Sequence, residues 1–531
     1  ALIWCAAPAT ASAQPTAAPM SAVATATDGN ELTMTAVAPG DEVDVAADDE
    51  ANSKQVRLSL SLAARGAAER TSAFAIDTTG ARSNDAVVGT SRLRLVADFV
   101  YEMDDAATIV SGKAAAEVAH GTFLGGSDMA GDKLPGSRFD AWLPQEAWLG
   151  GSWDEMLTVR AGLMNSQWGL GLVANDGNHA SDSRRRAWFQ QSDAGDVVLR
   201  TLVHTMPWRG TTSWLRGLAF AAAIDRVQLD DNADLDAGER AWQGVASARM
   251  FLAKDRWFGL YYVYRDQQHD AGAFLRVHVV DAAFDYQLGR DGGAGLRLQG
   301  EGVVIAGRTS LAPTPEHPEH DVLQHAVALR VVYAGAGALR PTGELDLGSY
   351  SGDGDMEDDT LSAFQADPNH QQGLLLFRQA LAWQTGRARL TASDPLFVGR
   401  PNEDLDRLAT GGSVSNALII FPKVGLSVAP WLDVYGGTLL AFAAAPVLDP
   451  FHTRTKGGGV ARNFFDRSAT SSYLGTEFDI GVRAHVPVGE VFEIAVTAEY
   501  GVLTPGGALE GLAEDSPIHG GRVSVQLIPG K

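Results

Sequence analysis

The chain has 531 residues, 45% of them hydrophobic and 20% charged, with 65 acidic against 42 basic side chains for a formal net charge of -23. That balance excludes a nucleic-acid partner held through a basic face, and no stretch supplies the roughly 18 uninterrupted apolar residues of a membrane-spanning helix. The 58 glycines are scattered through alternating segments, which suits paired strands and tight turns better than helices.

Residues 1–13 read ALIWCAAPATASA, an apolar stretch ending in the small-x-small pattern Ala11-Ser12-Ala13, as at the end of a signal peptide. Trp4 is too large to precede a lipidated cysteine, and cleavage after Ala13 would remove Cys5, the single cysteine. Residues 14–54 are rich in Ala, Thr, Pro and acidic side chains and include the run Asp41, Glu42, Asp44, Asp48, Asp49 and Glu50. With no sustained period, they are expected to form a disordered lead-in.

From residue 55 to 531 one domain is expected, because segments of ten or more residues alternate apolar with polar between turn-forming clusters. Leu58, Leu60 and Leu62 oppose Arg57, Ser59 and Ser61; Leu93, Leu95, Ala97, Phe99 and Tyr101 oppose Arg92, Arg94, Asp98 and Glu102. Near the C-terminus Phe478, Ile480, Val482, Ala484 and Val486 oppose Glu477, Asp479, Arg483 and His485. Phe492, Ile494, Val496, Ala498 and Tyr500 then oppose Glu493, Thr497 and Glu499, and Val523, Val525 and Leu527 oppose Arg522, Ser524 and Gln526. These segments outrun the strands of soluble sandwiches, whose usual length is about 5 to 6 residues. A mean hydropathy of -0.06 is what a barrel apolar outside and polar inside would average.

The expected fold is therefore all-β, a single antiparallel transmembrane β-barrel of 16 to 18 strands, at roughly 26 residues per strand with its connection. It belongs in a bacterial outer membrane, in contact with outer-membrane lipid and lipopolysaccharide. Phe99, Tyr101, Trp257, Tyr264, Tyr286, Tyr333 and Tyr500 are placed in interfacial girdles. Long polar stretches at 165–195, 230–239, 308–320, 351–372, 391–412 and 449–472 are expected as external loops. The residues assigned to the lumen are Arg57, Arg92, Arg94, Asp98, Glu102, Asp281, Asp285, Arg297, Glu301, Glu344, Asp346, Glu477, Asp479, Arg483, Glu493, Glu499 and Arg522.

Gln167-Trp168-Gly169-Leu170-Gly171-Leu172 runs into Asn175-Asp176-Gly177-Asn178, a glycine-rich strand end and turn that lacks the lysine of a phosphate loop. Arg184, Arg185 and Arg186 follow, read as a solvated loop run. Asp230, Asn232, Asp234 and Asp236 alternate like calcium ligands, but Leu235 stands where the sharp turn wants glycine and no glutamate closes the loop. Asp353, Asp355, Glu357, Asp358 and Asp359 are spaced less regularly still. Beyond a weak external calcium loop no cofactor is expected. The 12 histidines form no HExxH pair, and no GxSxG elbow occurs, so no catalytic residues are assigned and the chain is not read as an enzyme.

Leu474-Gly475-Thr476-Glu477-Phe478-Asp479, followed by a strand ending Tyr500-Gly501-Val502-Leu503-Thr504-Pro505-Gly506, resembles the closing strands of the alginate-export family over about a tenth of the chain. Trp168 to Asn178, and Asp367-Pro368-Asn369 with Leu374-Leu375-Leu376-Phe377-Arg378, resemble a related, uncharacterised barrel family of gliding, polysaccharide-secreting bacteria. The resemblance implies an 18-stranded barrel and passage of a polysaccharide or another large solute. The alginate-export lumen is arginine-rich, whereas the assigned inward face here mixes both signs, and carboxylates repel a polyanion. A neutral or cationic solute fits that mixture at least as well. The expected function is a pore or export channel for a hydrophilic solute, such as an exopolysaccharide handed over by a periplasmic partner. The alternative is a non-conducting barrel, plugged by inserted loops, that serves adhesion, motility or envelope architecture.

Overall fold

The computed structural model describes residues 56–529 except 104–107, 126–138, 155, 178–187, 192, 231, 234, 236–237, 254, 290–293, 312, 315, 387–408, 457–459, 490–491 and 513–515. It also describes the backbone of Thr16–Ala17, Ser21–Ala26 and Leu32–Val37. The expected signal-peptide remnant and lead-in otherwise lie outside the described residues, as do Arg184, Arg185 and Arg186.

Eighteen long strands form the wall among the described residues. They are β1 (Val56–Thr71), β2 (Val88–Glu102), β3 (Thr108–Leu124), β4 (Phe139–Trp153), β5 (Leu157–Met164), β6 (Val197–Thr205), β7 (Leu218–Leu229), β8 (Arg240–Ala253) and β9 (Arg256–Gln268). The circuit continues through β10 (Phe274–Leu288), β11 (Gly295–Thr309), β12 (His320–Ala334), β13 (Thr342–Tyr350), β14 (Ala417–Ala429), β15 (Leu432–Phe442), β16 (Tyr473–Val488), β17 (Phe492–Pro505) and β18 (Ile518–Pro529). Each pairs antiparallel with the next. The circle closes where β18 meets the end of β1, with Ser72 N donating to His519 O at 2.7 Å. The backbone of Thr16–Ala17 also lies at this seam, paired with Gln526 and Leu527 on one side and Arg65 on the other.

Burial along each strand is inverted relative to a soluble sandwich. On β16, Phe478 and Ile480 are 55% and 56% exposed while Glu477 and Asp479 are 0% and 4% exposed. The same inversion sets exposed Phe258, Leu260, Tyr262 and Tyr264 against inward Trp257, Tyr261 and buried Arg265 on β9. An apolar skin with polar groups turned inward is stable only against lipid, so this is a membrane-spanning barrel of the bacterial outer-membrane kind. Among the described residues no helix is long and apolar enough to cross a membrane; the strands cross it. Of the expected girdle, Tyr264, Tyr333 and Tyr500 are exposed on the outer skin. Trp257 is a correction: it faces the lumen, because its outward neighbours by period two are Arg256 and Phe258.

A charge introduced on the skin tests this arrangement. Ile480→Arg is expected to destabilise the barrel by about 2–4 kcal/mol, the cost of a basic side chain near the bilayer midplane. Equilibrium unfolding in lipid vesicles reads it, and no change would mean that this face does not meet lipid.

Connections alternate in length. Those at 103–107, 154–156, 206–217, 254–255, 289–294, 335–341, 430–431 and 489–491 are mostly tight, whereas the opposite end carries 72–87, 125–138, 165–196, 230–239, 269–273, 310–319, 351–416, 443–472 and 506–517. All six expected external loops fall at this second end, although 391–408 are outside the described residues. The rule of short periplasmic turns makes it the extracellular end.

Candidate functional site: the lumen and its inserted segments

Two of the connections expected to lie outside instead turn into the barrel. The described residues of 165–195 and of 364–414 carry the largest buried apolar cluster among the described residues, including Leu172, Trp188, Phe189, Phe364, Leu375, Leu376, Phe377 and Trp383. It packs against inward side chains such as Tyr350, Phe421, Tyr435 and Leu439. Trp188 stacks on Tyr435 with ring centroids 5.4 Å apart, and Phe189 lies 6.1 Å from Phe421.

Wall carboxylates hold both segments by the same device. Gly169 and Gly171 adopt left-handed φ values of 49° and 78°, which aims the N–H groups of Leu170 and Leu172 at the Glu301 carboxylate on β11, the latter at 3.0 Å. Only glycine fits at 169, where a β-carbon would stand 2.5 Å from a Glu301 oxygen. Trp168 Nε1 donates to Asp281 on β10 at 3.0 Å. In the second segment Gly373, at φ 73°, precedes three successive N–H groups, of Leu374, Leu375 and Leu376, that donate to Glu477 on β16; the last two bonds are 2.8 Å. A helical run begins at Leu376, so Glu477 places a carboxylate at the orphan donors of a helix N-terminus. A third anchor is Glu499 on β17, which accepts from Phe189 N at 3.0 Å, Tyr435 OH at 2.8 Å and Arg522 Nε at 3.0 Å.

Most of the remaining assigned lumen residues are paired, two pairs within the set and the others with inward side chains outside it. Arg57 contacts Glu102, and Arg297 contacts Asp285 with one bond of 2.8 Å. Glu344 and Asp346 share Arg330 and Lys423. Arg92 binds Glu117 at 2.7 Å and the Gly177 carbonyl at 3.2 Å, and Arg94 reaches Glu146 at 3.1 Å. Arg483 donates to Thr497 at 3.1 Å; Glu493 meets His485 near the tight-turn end. Asp98 lies across from Lys113, and Asp479 is buried beside Glu477. The mixed inward face is thus a set of cross-strand pairs and anchors.

Two basic side chains on the lumen face stand apart from these pairs. The inserted segments meet the arc from β4 to β8 at fewer points than the rest of the wall, among them Asn165 donating to Gln145 of β4 at 3.0 Å and Trp168 beneath Arg249 of β8. On that arc Arg160 of β5 lies over the Trp148 ring at 4.5 Å, and Arg249 of β8 lies over Trp257 at 4.2 Å and Trp168 at 4.7 Å. Among the described residues neither guanidinium has a carboxylate within ion-pair distance. His204 of β6 stands between them, within electrostatic reach of both. Stacking on an indole face holds a guanidinium without neutralising it. Nothing in the local sequence marks either arginine, because the neighbouring inward positions, Thr158 and Gly162 beside Arg160 and Ser247 and Phe251 beside Arg249, carry no charge.

Two residues of the expected external calcium loop are engaged with side chains of β9. Asp230 gives both oxygens to Arg265, one at 2.6 Å, and the Asn232 carbonyl accepts from Gln267; Asp234 and Asp236 lie outside the described residues. Among the described residues no three acidic, histidine or cysteine side chains form a metal-binding group.

Asp193 and His370 are among the titratable groups in the inserted segments that are shifted. Burial would raise the Asp193 carboxyl, but His120, Arg65 and Arg92 beside it hold it well below the ordinary carboxylate range. Burial pushes His370 down to about 4. Its ring sits between the Leu170 carbonyl at 3.2 Å and the Tyr350 hydroxyl at 2.8 Å, with Arg330, Asp346 and Lys423 as charged neighbours. An undocked His370 titrates near 6.5, so between pH 6.5 and about 4 the undocked form binds more protons. Docking is therefore strongest above 6.5 and weakens by roughly 3 kcal/mol on acidification to pH 4. Hydrogen exchange of residues 364–383 is expected to quicken over this window. His370→Gln, which keeps polarity without a titration, is expected to flatten the response; an equally steep response would assign it elsewhere.

Comparison with solved structures gives similarities of outline to outer-membrane channels. OpdK of Pseudomonas aeruginosa, solved with vanillate, has a TM-score of 0.42 at 12% identity over 87% of this chain and 97% of that one. OccAB1 of Acinetobacter baumannii has a TM-score of 0.46 at 11% identity over 89% and 96%. OpdL of Pseudomonas aeruginosa has a TM-score of 0.46 at 9% identity over 88% and 97%. No family model matches the chain and no curated protein does, so the alginate-export resemblance rests on the C-terminal motif alone.

Proposed function

We propose that the protein is a narrow outer-membrane channel for a small hydrophilic anion, which passes along the β4–β8 arc beside the inserted segments. The observation that carries this reading is the pair Arg160 and Arg249, each stacked on an indole with no carboxylate within ion-pair distance among the described residues, in a lumen where most of the assigned carboxylates have partners on the wall or the inserted segments. Uncompensated cations in a confined, low-dielectric passage concentrate anions and repel cations. Spaced around one arc, they offer successive weak sites, as conduction requires.

A polysaccharide, which the alginate-export resemblance implies, would need the inserted segments to leave, since their apolar cluster occupies the wall from β9 to β18. The barrel without that displacement suits a small solute. The decisive measurement is single-channel recording in a planar bilayer under a potassium chloride gradient. Steady openings of low conductance with a reversal potential on the chloride side are expected. The buried apolar cluster favours one other reading, a closed structural barrel, and the absence of steady current would establish that instead.

A further inference from the structure

We infer that the outer skin over β10 to β12 is a specific binding site for one phosphorylated outer-leaflet lipid, with its headgroup at Arg276 and Arg308 and an acyl chain lying down the face of β11. The outward residues of β11, taken from the extracellular end, are Arg308, Ala306, Val304, Gly302 and Gly300. Below the arginine this strand is low. Its neighbours are taller: His278, Val280, Ala282 and Phe284 stand on β10, and Leu323, His325, Val327 and Leu329 on β12. The result is a furrow that opens at its lower end into a trench of about 640 Å³, which spreads across the skin from Leu218 of β7 past Met250, Phe258 and Phe284 to Leu329 of β12 and has Gly300 and Gly302 in its floor.

Two features separate this furrow from ordinary annular contact. First, the trench is real space and not merely glycine packed under a neighbour. A β-carbon added at Gly302 would find nothing nearer than Val327 at 3.8 Å, whereas one at Gly300 would strike the Phe284 ring at 2.4 Å. Gly300 thus lets Phe284 lie across the wall, and Gly302 keeps the space open. Second, polarity along the furrow is graded as in a lipid. At the top Arg276 and Arg308 are direct cross-strand partners, an arrangement of like charges that is unfavourable unless an anion joins them. Their aspartates, Asp266 and Asp321, lie on the outer flanks at 3.3 Å and 3.0 Å, in exposed pairs of the kind worth only about 0–1 kcal/mol. His278 and His325 follow, on the lipid-facing skin where polar side chains are costly and mark function. They flank Ala306 and Val304, the level of the ester or amide carbonyls. Only apolar surface continues below.

Depth fits one leaflet. From Arg308 to Gly302 and Gly300 is six to eight residues, about 20–26 Å along the strand, which a strand tilt of roughly 40° converts to about 15–20 Å. That is the distance from the headgroup region to the midplane of a hydrocarbon core about 30 Å thick. A second copy of the chain would bring apolar side chains to the trench but would bring nothing to join the two arginines, so the lipid is the occupant that satisfies both ends.

The test is native mass spectrometry of the whole barrel, refolded with bisphosphorylated lipid A or with its dephosphorylated form. One retained bisphosphorylated molecule per barrel is expected. Gly302→Phe, which fills the trench, and Arg276→Ser with Arg308→Ser, which removes the headgroup site, should each lower retention at least tenfold. Gly244→Phe adds the same bulk to the outer face of β8, where a β-carbon also meets nothing, and should retain lipid, which separates furrow filling from damage to the fold. Equal retention by Gly302→Phe and the parent chain, or equal retention of the dephosphorylated form, overturns the proposal. So does a dimer mass that disappears with Gly302→Phe.

Discussion

Replacing Arg160 and Arg249 together by glutamine is expected to move the reversal potential from the anion to the cation side, with at least a tenfold fall in the anion-to-cation permeability ratio. Glutamine retains much of the side chain over Trp148 and Trp257, so the change is mainly one of charge. A tenfold change corresponds to about 1.4 kcal/mol, modest for two uncompensated cations in a passage of low effective dielectric. The contrast with Arg92 and Arg94 makes the experiment specific. Those guanidiniums contact Glu117 and Glu146, and their loss strands buried carboxylates at a cost of about 3–5 kcal/mol. They should therefore damage the fold before they alter selectivity. If the Arg160 and Arg249 double variant keeps the parental reversal potential while Arg92→Gln shifts it cleanly, the selective site belongs to the β2–β3 wall.

Glu477→Ala is expected to undock the second inserted segment. Its carboxylate is the acceptor for the N–H groups of Leu374, Leu375 and Leu376, all buried. Hydrogen bonds to a charged group are worth about 1.5–3 kcal/mol each, and an unpaired buried donor costs about 1–3 kcal/mol, so the loss is on the order of 4 kcal/mol or more. The barrel itself should survive, because the strand ladder of β16 does not depend on that side chain. Openings several times larger than the parent's, together with new protease cleavage between residues 364 and 414, are expected. A variant of parental conductance and protease resistance would show that the apolar cluster alone holds the segment. Glu477→Gln should fall between the two, since the amide oxygen can still accept but carries no charge for the helix terminus.

The barrel was legible in the sequence where one face meets lipid and the other meets polar partners. On β16, β17 and β18 the alternation of Phe478, Ile480 and Val482 with Glu477, Asp479 and Arg483 is unbroken. It fails on β14, whose inward Ile419 and Phe421 pack against the inserted segments and are as apolar as outward Leu418 and Ile420, so period two disappears. The glycine-rich stretch at 167–172 reads as a turn and Gly373 stands in no motif, and the role of both depends on Glu301 and Glu477, which lie 129 to 131 and 101 to 103 residues in the chain from the N–H groups they accept. Parity along a strand tells which side chains point inward. It does not tell which of them find a partner there.

The anchoring of Phe189 to Glu499 spans 310 residues, which sets a sequence of events in time. Residues 165–195 leave the translocation machinery long before β17 exists, and their apolar side chains have no wall to pack on until the last strands are in place. Loop closure over such separations is slow compared with pairing of neighbouring strands. Two kinetic phases are therefore expected on refolding: hairpin-by-hairpin formation of an empty cylinder, then docking of the two segments into it. Between them the protein would briefly be a wide pore, and the late-forming bonds to Glu301, Glu477 and Glu499 are what would end that leaky interval.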